Sequence, residues 1–140
     1  MSFTTDFNHL PAMIEALDKT LADVVKATAA QVASDGSGNA PVLTGTLAAS
    51  MYYTTDTGET TYSPSGGTHD MPPMETPPGG DGVHTADVGS SVDYGIDVEM
   101  GTHDMAAEPY MVPAAESNRD GFTSSASSAI GSALEALGEA

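Results

Sequence analysis

The sequence predicts an α+β fold: a long N-terminal helix and a C-terminal helix packed on a small antiparallel β-sheet, with a long Pro/Gly-rich loop between the strands. Three observations predict it. Apolar residues recur at steps of about four and three near the amino terminus, which is a helical stripe. A Met/Tyr-rich segment and a valine-rich segment in the middle of the chain have strand character. A weaker four-residue repeat closes the chain, as an amphipathic helix would. With 140 residues, 39% of them hydrophobic, the chain can form one domain spanning residues 1–140, around a modest core.

The first helix is expected over residues 6–35. Its stripe is Leu10, Ile14, Leu17, Leu21, Val24 or Val25, Thr28 and Val32. Asp6 or Asn8 can cap the entry, Pro11 suits a first turn, and Asp35-Gly36 is a stop signal. Residues 40–62 are expected to hold sheet and connecting turns, with Leu47 to Thr54 starting as a helical turn and ending as a strand. Over 63–82 Pro and Gly are too dense for an interior element, so this is an extended loop. Sheet and turns resume over 83–116. Val83 to Ser90 reads as a strand with His84 outward, and Val92, Tyr94, Ile96, Val98 and Met100 alternate with polar or small residues, which by itself indicates another strand. Pro109 and Pro113 mark an extended stretch. The last helix is expected over 120–138, with Phe122, Ala126, Ile130, Leu134 and Leu137 on one face, and it needs a partner surface to persist.

Charge is the strongest compositional signal. Twenty acidic residues face only Lys19, Lys26 and Arg119, for a net charge of -17. No basic residue lies between Lys26 and Arg119. Nucleic-acid surfaces need clustered Lys and Arg to displace counterions, so that function class is excluded, and an anionic membrane surface with it. No apolar run approaches the roughly 20 residues that span a bilayer, so a soluble chain is expected. The acidity, with many small Ala, Gly, Ser and Thr residues, looks like the composition of proteins from extreme halophiles. At about 1 M salt the Debye length falls to about 3 Å, and neighbouring carboxylates no longer repel strongly.

There is no cysteine, which removes disulfides, thiolate metal sites and cysteine nucleophiles. The pentapeptide GTHDM occurs twice, at Gly67 to Met71 and at Gly101 to Met105. If the two copies met, His69, Asp70, His103 and Asp104 would offer two nitrogens and two carboxylates to zinc or manganese, the basis for a metal-dependent hydrolase. The simpler reading is a repeated polar turn in which Gly starts the bend and Asp accepts backbone hydrogen bonds. No phosphate-cradling, nucleophile-elbow or HExxH signature is present. No catalytic residue, metal or cofactor is therefore expected.

Three further motifs occur in order: APVLTGTLAASM (Ala40 to Met51), VGSSVDYGIDVEMGT (Val88 to Thr102) and AAEPYMVPAAE (Ala106 to Glu116). Together they resemble the tailed-phage neck and tail-completion family, a minor tail component with the scheme P-x-x-T-G-x-L-x-x-S, V-G-x-x-x-x-Y-A-x-x-V-E-x-G-T, R-P-F-[ML]-x-P-A. Pro41, Thr44, Gly45, Leu47 and Ser50 fit the first motif. Val88, Gly89, Tyr94, Val98, Glu99, Gly101 and Thr102 fit the second, and Pro109, Tyr110, Met111, Pro113 and Ala114 the third. Gly95 stands in place of the usual alanine and Glu108 in place of the usual basic residue.

The resemblance implies a structural virion protein, not an enzyme. It would assemble in the host cytoplasm and form a homo-oligomeric, hexameric ring at the head-to-tail junction. Its neighbours would be a head connector or stopper protein on one side and a tail terminator or tail tube protein on the other. DNA would pass through without being bound, and no membrane is involved. The resemblance also implies a short helix over Tyr94 to Met100, against the period-two reading, and a turn in which Gly101 takes positive φ and Thr102 bonds locally to the backbone. An acidic inhibitor that mimics DNA is the alternative of a different class.

Overall fold

The computed structural model describes residues 10–41, 45–57, 60–62 and 84–138. The order of elements is α1 (Leu10–Asn39), α2 (Thr46–Ala49), β1 (Met51–Thr55), β2 (Thr60–Tyr62), β3 (Ala86–Ser90), α3 (Gly95–Met100) and α4 (Met111–Gly138). The three strands form one antiparallel sheet in the order β2-β1-β3. Tyr53 lies opposite Thr61 on one side and Val88 on the other. The α+β architecture is the one expected, with the two long helices at either end of the chain. The caps proposed at Asp6 and Asn8, the loop over 63–82 and His69-Asp70 lie outside the described residues.

Strand alternation sets the core, because Met51 and Tyr53 project from one face of β1. Met51 joins Ala40, Leu47 and Tyr110 in one buried cluster, and Tyr53 joins Ala29 and Ala33 in another. On the other face, Tyr52 covers its cross-strand partner Gly89. A Cβ there would lie 2.7 Å from the Tyr52 hydroxyl oxygen.

Several local expectations are corrected. The first helix does not stop at Asp35-Gly36 but runs to Asn39. Gly36 is buried, and a Cβ on it would lie 2.9 Å from the Met111 Sδ, so this glycine is there for a close approach between α1 and α4. The buried positions of α1 are Ala29, Ala33, Gly36 and Ser37, whereas Ile14 of the expected stripe is 60% exposed.

The alternation from Val92 to Met100 is not a strand. Residues 95–100 form α3, as the resemblance implied, with Gly95 inward and Ile96 and Met100 in solvent. Strand β3 starts at Ala86. The last helix begins at Met111, nine residues before the expected 120, so the stretch ending at Pro113 is extended only up to Tyr110. Its expected apolar face is turned largely outward: Phe122, Ile130 and Leu134 are exposed. The side facing α1 is lined by smaller residues, among them Ser125, Ala129 and Ala133. Ile130 and Leu134 border α1 at a recess shared with Leu10, Ile14 and Leu17, and Phe122 borders it opposite Val25 and Val32, while all three stay partly in solvent.

Candidate functional site

The residues of the three motifs converge on the start of α4. The first four backbone N–H groups of a helix have no partner inside it. Here those positions are Tyr110, Met111, Val112 and Pro113. Glu99, on α3, reaches across: its Oε2 accepts from the Tyr110 N–H at 2.7 Å and the Met111 N–H at 2.9 Å, and its Oε1 accepts from the Val112 N–H at 3.0 Å. Pro113 has no N–H to satisfy. One carboxylate and one proline thus account for the whole first turn, and the negative charge sits at the positive end of the helix dipole. Partial burial pushes the Glu99 carboxyl up, but the N–H groups of Met111, Tyr110 and Val112 favour its ionised form more. The net position is below the ordinary carboxylate value.

The rest of the unit holds Glu99 in place. Tyr110 is buried and donates its hydroxyl to the Gly95 carbonyl at 3.0 Å, tying the start of α4 to the start of α3. Burial pushes the Tyr110 phenol above its ordinary value, the Glu99 and Tyr94 charges add to this, and a hydrogen bond with Ser90 opposes it. A Cβ on Gly95 would lie 2.9 Å from that hydroxyl and 3.0 Å from the Ser90 Oγ, so the glycine makes room for both. The Glu108 N–H bonds the Val98 carbonyl at 2.8 Å and returns the chain from the turn to α3.

The turn itself is as expected. Gly101 has φ 75°, and a Cβ on it would meet the Ala107 backbone nitrogen at 2.7 Å. The Thr102 N–H bonds the Met105 carbonyl at 2.8 Å, and the Thr102 Oγ1 accepts from the Asp104 N–H at 3.3 Å.

The first motif supplies the floor. Gly45 has φ 75° and starts α2, Leu47 is buried, and the Ser50 Oγ donates to the Leu47 carbonyl at 2.7 Å and meets the Ser90 Oγ at 2.7 Å. Val98 packs against the Leu47–Tyr110 cluster and Ala114 is fully buried. Tyr94, Thr102, Pro109 and Pro113 remain exposed, and Thr44 lies outside the described residues.

The second GTHDM lies at the surface. His103 and Asp104 are 99% and 94% exposed in their side chains, and the His103 Nδ1 meets the Asp104 Oδ1 at 3.0 Å. Neighbours on a strand or helix would diverge, but a turn brings these two together. Among the described residues no group of three or more His, Asp or Glu side chains is gathered around a metal position.

Sequence reasoning missed one charged cluster. His84 is not turned outward but is partly buried between two acidic groups. Its Nε2 lies 2.7 Å from the Asp18 Oδ1 on α1, and its Nδ1 lies 3.6 Å from the Asp56 Oδ2 after β1. That Nδ1 is buried with no hydrogen-bond partner. The Asp18 hydrogen bond pulls the imidazole pKa above its ordinary value, against partial burial, and the charges of Asp18 and Asp56 add to the effect. The local signal was the period-two placement of His84, which assumed a strand that begins only at Ala86.

Comparison of the chain with family models, with curated proteins and with solved structures finds no match in any of the three.

Proposed function

We propose that the protein is a structural virion component that forms a ring at the head-to-tail junction of a tailed virus, joining the portal-connector complex to the tail tube and leaving a channel for DNA. The observation that carries this reading is the Glu99 cap. The residues that give the chain its likeness to neck proteins lie in three separate stretches, and they make one physical unit: Glu99 and Gly101 from the second, Tyr110, Met111 and Pro113 from the third, with Leu47 and Ser50 of the first beneath. That residues of all three stretches share one unit supports the reading.

The unit is a scaffold and not a reaction centre. It spends its best hydrogen-bonding carboxylate on a helix end and fixes the direction in which α4 leaves the sheet. The acidity suits the proposed place in the particle, since a lumen lined with carboxylates repels phosphate and lets DNA slide. Ring subunits make the same contact head to tail until the ring closes.

The test is removal of the gene from its virus followed by electron microscopy of the lysate. The reading expects filled heads and separate tails in place of joined particles, restored by supplying the protein in trans. Joined, infective particles without the protein would overturn it.

A further inference from the structure

Among the described residues, two of the exposed apolar surfaces differ in the charge beside them. The first is a trough of about 540 Å³ between the long helices, with Val25 and Val32 on the α1 side, Val112 and Phe122 on the α4 side, and Ala86 and Val88 of β3 as its floor. It continues into a recess lined by Arg119 and Glu116. Val112 is 52% exposed and Phe122 39%. The second surface is the outer side of α3, where Ile96 and Met100, one helical turn apart, are 69% and 72% exposed beside Tyr94 and Met105. Acidic residues surround it, with Asp93, Asp97, Asp104 and Glu108 all exposed.

The charges sort accordingly. All three Lys and Arg residues of the chain are on α1 and α4, and the only arginine borders the trough. The recess beside the trough thus sets Arg119 next to Glu116, whereas the α3 face is bordered by Asp93, Asp97, Asp104 and Glu108. Exposed apolar surface of this kind marks contacts, and opposite charges fix their register.

We infer that the trough of one copy receives the α3 face of a second copy, with Ile96 and Met100 against Phe122 and Val112 and with Asp97 directed to Arg119. The contact is heterologous, because the two surfaces are different patches of the same chain, and repetition of it closes a ring or grows a filament. It rests on the ring reading above and adds which surfaces meet. In concentrated salt the apolar contact strengthens while charges act only over about 3 Å, so Asp97 and Arg119 select register more than they hold the copies together.

The absence of cysteine from the chain makes the contact directly testable. Ile96→Cys and Phe122→Cys are prepared as separate full-length proteins, mixed in molar salt, oxidised, and resolved without reductant. A covalent dimer in the mixture, and none from either variant alone or from Phe122→Cys mixed with the surface control Thr57→Cys, is the expected result. Arg119→Asp should lower the dimer yield several-fold, and adding Asp97→Arg on the partner variant should restore it. A wild-type chain that sizes as a ring but gives no Ile96–Phe122 disulfide would overturn this contact and leave the ring reading standing. Disulfides from Ile96→Cys alone would indicate a symmetric α3 contact and overturn it too. A wild-type chain that stays a monomer in molar salt overturns both.

Discussion

The most consequential single residue is Glu99. Hydrogen bonds to a charged group contribute more than neutral ones, and loss of a helix cap commonly costs about 1–2 kcal/mol. Glu99→Ala leaves the N–H groups of Tyr110, Met111 and Val112 without their acceptor, and should destabilise the protein by about 2 kcal/mol in urea unfolding. Glu99→Gln, which keeps an acceptor but no charge, should fall between the two. An unchanged midpoint for Glu99→Ala would mean that water replaces the carboxylate without cost. The folded pKa of Glu99 is depressed, so its contribution is fully present above the unfolded carboxyl pKa and fades as pH falls through the lower folded value. Gly101→Ala forces a side chain onto φ 75° and against the Ala107 backbone. A cost of about 3 kcal/mol is expected, and a thermal scan that shows no shift would contradict the turn geometry. Gly101 was legible in the sequence because the resemblance implies a positive-φ glycine there and the repeated GTHDM reads as a polar turn that Gly starts. The role of Glu99 was not, since its partners come eleven to thirteen residues later and no local periodicity encodes a contact across a turn.

Among the elements, the two long helices and the step from α2 into β1 were readable because their patterns are local. The strand reading of 92–100 failed for a physical reason. A six-residue helix that buries Gly95 and exposes Ile96 and Met100 has no buried apolar stripe, and its alternation of residue types mimics a strand. The start of α4 was hidden by Pro113, which breaks a helix interior but is harmless in a first turn. The predicted apolar face of α4 is real as a pattern, yet it runs along the edge of the seam with α1, where smaller residues such as Ala129 and Ala133 lie between the helices. The stripe stays partly exposed along the seam with α1.

The tie between α1 and β3 gives a pH prediction at the same scale. With Nε2 donating to Asp18, a neutral His84 would turn a bare Nδ1 lone pair toward Asp56, whereas the imidazolium presents positive charge to both carboxylates. Its folded pKa is raised, so the stabilisation is complete below about 6.5 and is lost as pH rises through the folded value. The unfolding temperature should therefore decline through that window in the native chain, and His84→Gln should remove this part of the slope. An identical slope in the variant would contradict the bridge.

For the whole molecule, 20 acidic and three basic residues set the solution behaviour. Self-repulsion of carboxylates opposes the compact state and salt screens it. The unfolding temperature should rise steadily from about 0.1 M to molar salt, and a flat profile would remove the halophilic interpretation. The same charge explains why assembly is to be sought in concentrated salt, where copies of so acidic a chain can approach.

Assembly is the claim on which the functional account turns. The most direct measurement is the mass distribution of the purified full chain by mass photometry in molar potassium chloride, with the same samples imaged by negative-stain electron microscopy. The account predicts a dominant species at six times the 14.2 kDa of the single chain, seen as closed rings with a central channel. A monomer or a simple dimer at every salt concentration, with no ring in the images, would contradict it.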